Sequence, residues 1–242
     1  MMLLLLLELP LKKKKIGSFN NSTTVFSLHA NKEITSGEGG LICTNNNVLA
    51  KKIRTIVNSG LTKDTWKRSK KKNYRILNSV LPGYKFNYND ILASIAITQV
   101  KKMDTILRYR KILKIEYIKQ LLPLIKNKII QIPILSEKNE SGLYTFPIII
   151  NLNKKSIRDR LANYLQQKKI FTAIHYTPAH THSFYKKKFF NARLPNTNDI
   201  FSRVLSLPFH NNLKISHIKF VSKSINNFFK DENKKEQNLY YC

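Results

Sequence analysis

The stretch FSLHANKEITSGEGG, residues 26–40, decides how this chain is read. Three of its last four residues are glycine, in a chain of 242 residues that has only seven. TTVFSL (23–28) is β-branched and aromatic and GGLICT (39–44) has a similar character, so the two predict strands joined by the loop that carries Lys32. Gly37, Gly39 and Gly40 predict a glycine-rich turn after that lysine. Lys32 is then either one of the chain's many solvated lysines or a lysine enclosed between core strands, whose neutral amine can attack a carbonyl and form a Schiff base. Spacing alone does not choose between them.

Outward from the loop, NVLAKKIRTIV (47–57) places Val48, Leu49, Ile53, Ile56 and Val57 at helical spacing, ended by Gly60. Residues 61–82 are polar, basic and weakly periodic, and predict a long connection ending in LPGY. Residues 89–122 then carry Leu92, Ile95, Ala96, Gln99, Val100, Met103, Ile106 and Leu107 on one stripe. That pattern predicts one long helix, or two in line, capped by Asn89 or Asp90 and of the kind that bridges domains. YTFPIII (144–150) predicts a buried strand, and SIRDRLANYLQQKKI (156–170) a helix with Ser156 as cap and Asp159 in capping-box position. FTAIHY (171–176) predicts a strand, and ISHIKFVSKSINNFFK (215–230) a closing helix through Ile218, Val221, Ile225 and Phe229. No internal repeat is present, and the alternation indicates an α/β protein.

Composition narrows the function classes. A hydrophobic content of 42% over 242 residues can bury one substantial core or two small ones. The 43 Lys and Arg against 14 Asp and Glu give +29, which invites a polyanion partner. The basic residues are nevertheless dispersed, in KKKK (12–15), KRSKKK (67–72) and KKK (186–188), without an RNA-binding or zinc-finger signature. Of the two polyanion readings non-specific adhesion is the better one, and specific nucleic-acid binding is not expected. Lys, Asn and Ile abundant together have the bias of an AT-rich coding sequence. Cys43 and Cys242 form no disulfide framework, which fits a reducing, cytoplasmic setting. The leading MMLLLLLELPLKKKK (1–15) is interrupted by Glu8 and Pro10 and is far shorter than the roughly 20 residues of a spanning helix. It also lacks the leading charge and cleavage site of a signal peptide. No membrane span is expected. His175, His180 and His182 do not have a standard metal-ligand spacing and no carboxylate is near them in sequence, so no metal is expected.

FSLHANKEITSGEGG closely resembles the cofactor-lysine motif of the DegT/DnrJ/StrS family, the pyridoxal-phosphate-dependent nucleotide-sugar aminotransferases. The resemblance continues through NSGLTKDTW (58–66), PGYKFNYNDILASIAITQVKKMD (82–104), HYTPAHTHSFY (175–185) and LPNTNDIFSRVLSLPFH (194–210). It covers about Ile16 to Phe229. The last two segments are most similar to the branch that aminates UDP-4-keto-pentoses, the UDP-4-amino-4-deoxy-L-arabinose:oxoglutarate aminotransferases of lipid A modification. The resemblance implies fold type I, with a partial large domain built on a mixed sheet and a complete small α/β C-terminal domain. The expected organisation is a non-homologous or artefactual N-terminus at 1–15, a remnant of the cofactor-binding domain at 16–88 and a bridging helix at 89–122. The small domain is expected at 123–230 and a tail at 231–242.

The same resemblance implies the site. Lys32 falls on the lysine that binds pyridoxal 5′-phosphate and then shuttles a proton between the amino-acid Cα and the cofactor C4′. Ser27 falls on a hydroxyl that contacts the cofactor phosphate. Asn87 falls on an asparagine that reaches the partner subunit's cofactor phosphate, which implies a homodimer with shared active sites. His29 and His180 occupy positions near the cofactor and the sugar nucleotide. A histidine packed at a strand end is an equally good reading of His29. The implied substrates are a UDP-4-keto sugar and glutamate, with 2-oxoglutarate as the keto-acid product. The family also uses a Gly-Thr or Gly-Ser phosphate turn, a ring stacked on the pyridine and an acidic residue that pairs with the pyridine nitrogen. These lie upstream of the lysine motif, where the present chain has LLLLLELPLKKKK. An N-terminally truncated, impaired enzyme is therefore expected. The rival reading is a non-enzymatic basic polyanion-binding protein or a decayed gene fragment.

Overall fold

A computed structural model describes residues 16–19, 22–61, 78–133, 142–152, 156–189 and 191–239. The expectations that fall on 1–15, on KRSKKK (67–72) and on most of the connection at 61–82 lie outside the described residues. The chain divides into two compact units: residues up to Met103 with Ser136–Gly142, and Asp104–Leu135 with Leu143–Cys242.

The first unit is organised by β1 (Thr23–Ser27) and β2 (Gly40–Thr44), paired antiparallel from Thr23 opposite Thr44 to Ser27 opposite Gly40. Thr24 and Phe26 of β1 are buried and Val25 between them is exposed, the period-2 pattern of a sheet with one covered face. Leu28 and Ile34 of the connecting loop complete that small core. The mixed sheet expected of the lysine-bearing domain is represented among the described residues by this one antiparallel pair. Helix α1 (Asn47–Val57) follows, with the side chain of Asn46 accepting from the N–H of Leu49 at 2.9 Å. Gly60 helps to end it, at φ +74°, donating its N–H to Thr55 O. Helix α2 (Asp90–Lys101) is capped by Asn89, and Ala96 is its buried residue.

The second unit runs from Asp104 through α3 (Met103–Lys126), and the stretch over 89–122, expected as one helix or two, is two helices separated at Lys102. The N–H of Lys102 turns back to Gln99 and Val100 O. Leu113, Tyr117, Leu121 and Leu124 form the buried stripe of α3. They meet Phe146, Ile148 and Ile150, the inward positions of β4 (Phe146–Ile150). β4 lies between β3 (Ile130–Gln131) and β5 (Val204–Leu207), and both pairings are antiparallel. Pro147 is tolerated in this central strand because its nitrogen faces away from β5. Its partner there, Ser206, spends both backbone groups on Ala173 on the opposite side. β3 reaches only Ile149 and Ile150, so no ladder bond is lost at Pro147.

Helix α4 (Ile157–Gln167) packs Leu161 and Leu165 on the same core, and α7 (Ile215–Leu239) adds Ile218, Val221, Ile225 and Phe229 as their spacing predicts. Between them come a 3₁₀ turn at Ala179–Thr181 and the short helices α5 (Ser183–Lys188) and α6 (Pro195–Arg203). Two local expectations are corrected. Ser156 does not cap α4: it sits at φ 59°, away from the extended backbone a cap needs, and makes no side-chain cap bond. Asp159 pairs with Arg158 instead of closing a capping box. The strand expected at 171–176 is reduced to a single bridge at Ala173, opposite Ser206.

Candidate active site

The loop between β1 and β2 is fastened at Leu28, which is fully buried. The N–H of Leu28 donates to Gly39 O at 2.8 Å. Its carbonyl accepts from the N–H of Ser36 at 3.1 Å and from Thr35 Oγ1 at 2.9 Å. The chain therefore leaves at Leu28 and returns to it, and the intervening residues form a closed lobe. Inside the lobe the N–H of Lys32 donates to His29 O at 2.9 Å, closing a turn. Lys32 is only 7% exposed, which separates it from the ordinary solvated lysine.

The glycines of this loop do not all serve the enclosure. A Cβ on Gly37 would meet nothing within 4 Å, so that glycine serves its backbone angle, φ +92°, and not close packing. Gly39 and Gly40 are sterically required. A Cβ on Gly40 would stand 2.9 Å from Phe26 O, and one on Gly39 would collide with the ring of Tyr88.

Ser27 closes β1 five residues before the lysine. Its Oγ accepts from the N–H of His29 at 3.3 Å, which leaves its own proton to donate outward. His29 is exposed; its Nδ1 accepts from the N–H of Asn31 at 3.3 Å and its Nε2 lies 3.6 Å from a Glu38 carboxylate oxygen. An accepting Nδ1 places the neutral ring's proton on Nε2, towards Glu38. Asn87 is exposed and follows Phe86, whose N–H donates to Val57 O at the end of α1. Ser27, His29 and Lys32 are thus brought onto one lobe, and Asn87 belongs to the same unit.

His180 belongs to the second unit, where its Nε2 is 2.9 Å from Asn198 Oδ1. Nearby in that unit His175 Nδ1 lies 2.9 Å from the hydroxyl of buried Ser206. An open cleft of about 390 Å³ is lined by His175, Tyr176, Asn196, Thr197, Ile200 and Phe201, among others. Neither Tyr88 nor Ser36 stands out in the sequence. The only signal available was Tyr88's place immediately after Asn87.

The sequence profile of the DegT/DnrJ/EryC1/StrS aminotransferase family matches residues 8–226. The chain belongs to this family. Aminotransferases of the DegT/DnrJ/EryC1/StrS family depend on pyridoxal phosphate and have fold type I. Among relatives, the uncharacterized protein MJ1066 of Methanocaldococcus jannaschii is 35% identical over 205 residues, covering 82% of this chain and 51% of that protein. Helicobacter pylori PseC, an aminotransferase involved in the biosynthesis of pseudoaminic acid, superposes with a TM-score of 0.81 at 24% identity, over 93% of this chain and 57% of PseC. Spr1654 of Streptococcus pneumoniae in its PLP form gives 0.73 at 24% identity, over 90% and 56% of the two chains. The chain spans about half the length of the relatives it matches. What it holds fits part of a pyridoxal-phosphate site: an enclosed amine for the aldehyde, a hydroxyl free to donate to a phosphate, and two glycines where a side chain would not fit. No helix among the described residues is long and apolar enough to cross a membrane.

Proposed function

We propose that the chain carries the lysine side of the active site of a nucleotide-sugar aminotransferase that takes glutamate as amino donor and a UDP-4-keto sugar as acceptor. The observation that carries this reading is the burial of Lys32 in a lobe pinned at both ends to Leu28, within a family of pyridoxal-phosphate aminotransferases. Bound pyridoxal phosphate supplies the electron sink for the charge released when an amino-acid Cα loses its proton. Lys32 Nζ would hold the cofactor through its aldehyde carbon and, once released from it, would carry a proton from the amino-acid Cα to the cofactor C4′. Ser27 Oγ donates to the phosphate, and Asn87 donates to the phosphate of a partner subunit. By resemblance, His29 and His180 stand at positions that the family uses near the cofactor and the sugar nucleotide. The closing of the lobe at Leu28 keeps water from the lysine.

A homodimer is part of this reading. The first unit leaves Tyr84, Phe86, Ile91 and Ile97 exposed, apolar side chains that a partner subunit would cover. The resemblance of residues 175–210 to the UDP-4-amino-4-deoxy-L-arabinose branch supports a pentose acceptor, surface-polysaccharide or lipid A biosynthesis, and a cytoplasmic place of work.

The test is chemical. After incubation with pyridoxal phosphate and reduction with borohydride, peptide mapping should find the label on Lys32, and Lys32→Ala should remove it. Label that persists in that variant overturns the assignment. The net charge of +29 favours a second reading, a polyanion-binding protein without catalysis. Retention on heparin together with no Lys32 label would support it.

A further inference from the structure

Tyr88 stands between Asn87 and Asn89, whose side chain accepts from the N–H of Leu92 at 2.8 Å and so starts α2. The cap fixes where Tyr88 leaves the helix, and its side chain reaches the far arm of the lysine lobe. Its ring occupies the place a Cβ on Gly39 would need, and Gly39 holds φ +118° beside it. Its hydroxyl hydrogen-bonds Ser36 Oγ and lies 3.3 Å from both Glu38 O and Leu92 O. Ser36 is 4% exposed, and its Oγ is 2.9 Å from the same Glu38 O.

Two hydroxyls bring two protons to this cluster. If Ser36 donates to Glu38 O, Tyr88 donates to Ser36; if Ser36 donates to Tyr88, Tyr88 donates to a carbonyl. In either arrangement the Tyr88 side chain is bonded to Ser36, 52 positions away in sequence, packs its ring against Gly39 and keeps its hydroxyl within reach of Glu38 O. Ser36 passes that restraint to Leu28 O through its N–H, and Gly39 passes it to the N–H of Leu28 through its carbonyl. Both are the bonds that close the lobe around Lys32.

We propose that Tyr88 is a positioning residue, which clamps the Ser36–Gly39 arm against Leu28 and thereby fixes the turn that presents Lys32. The same segment presents Asn87, so the residue lent to a neighbour's phosphate and the chain's own lysine lobe share one anchor. The inference rests on the reading of Lys32 as the cofactor lysine.

Two measurements on the full chain test it, with Tyr88→Phe, which keeps the ring and removes the hydroxyl, and Ser36→Ala. Amide hydrogen exchange should show position 36 and Gly37 exchanging about tenfold faster in both variants, while the amides of α1 keep their rates and the melting temperature moves by less than about 3 °C. Labelling with pyridoxal phosphate and borohydride should show the ratio of Lys32 to exposed Lys51 falling several-fold in Tyr88→Phe. Unchanged exchange at position 36 and Gly37 overturns the proposal, and so does faster exchange spread evenly over the first unit, the mark of a mere fold strut. Absence of Lys32 label in the parent chain as well would refute the cofactor-lysine reading, and the exchange data would still decide whether Tyr88 holds the lobe.

Discussion

Two glycines in one loop are not equivalent. Both Gly37 and Gly39 hold positive φ, so an alanine at either incurs about 1–2 kcal/mol of backbone strain. At Gly37 nothing else is in the way, whereas at Gly39 the Tyr88 ring must also move. Gly39→Ala is expected to lower stability by about 2–5 kcal/mol and Gly37→Ala by about 1–2, compared by urea denaturation. In the second unit Arg110 is buried and donates to the carbonyls of Leu143, Tyr144 and Phe209 and to Asn211 Oδ1, with its guanidinium 5.0 Å from the centre of the Phe209 ring. A lysine keeps the charge but cannot reproduce the fork. Arg110→Lys should cost about 2–3 kcal/mol in the same assay. Partial desolvation, then the charges of Arg110 and His217, hold the pKa of His210 below its ordinary 6.5. The unfolded chain then binds the proton more readily than the folded one between those two values. Stability should therefore be undiminished above pH 6.5 and fall as the pH drops from there towards the lowered value. His210→Asn should flatten that part of the profile, and an unchanged slope would show that another group is responsible.

Among elements, the contrast between helix starts is the most informative. Asn46 and Asn89 hold extended backbone and accept from the third residue of their helices, so Asn→Ala at either should cost about 1 kcal/mol in thermal unfolding. Ser156 makes no such bond and sits in the left-handed region, so Ser156→Gly should be neutral or stabilising by up to about 1 kcal/mol. A loss on Ser156→Gly as large as that on Asn89→Ala would mean that Ser156 caps after all. The same contrast shows what the sequence could tell. Elements that carry their own composition or periodicity were legible: β1 through the β-branched and aromatic run TTVFSL, and α7 through the helical spacing of Ile218, Val221, Ile225 and Phe229. Ser156 and Asp159 have the right spacing for a capping box, yet spacing does not report φ. FTAIHY has strand composition, but only Ala173 meets Ser206 of β5. The lysine lobe was legible as a motif. Its clamp was not, because Tyr88 and Ser36 are joined only through space and neither lies in a pattern that local periodicity can show.

At the scale of the molecule, the proposed assembly makes a prediction that no single chain can meet. If Asn87 serves the neighbouring subunit's phosphate and Lys32 its own cofactor, the two residues act in different sites of one dimer. The chain spans about half of its relatives' length, so the experiment calls for a chimera in which the remaining portion comes from a full-length relative. In that chimera Lys32→Ala alone should be inactive. Asn87→Ala alone should bind pyridoxal phosphate about tenfold or more weakly, the loss of a hydrogen bond to a charged group. Mixed and allowed to exchange subunits, the two variants form hybrids in which one site is intact, its lysine from the Asn87→Ala chain and its asparagine from the Lys32→Ala chain. The other site carries both defects. Random exchange of equal amounts makes about half of the dimers hybrid, so activity should rise to about a quarter of the parent's at limiting cofactor. Recovery only to the average of the two unmixed variants, after native mass spectrometry has shown that subunits exchange, would place Asn87 and Lys32 in the same subunit's site. In that case the exposed Tyr84 and Phe86 beside Asn87 would need an explanation other than a shared active site.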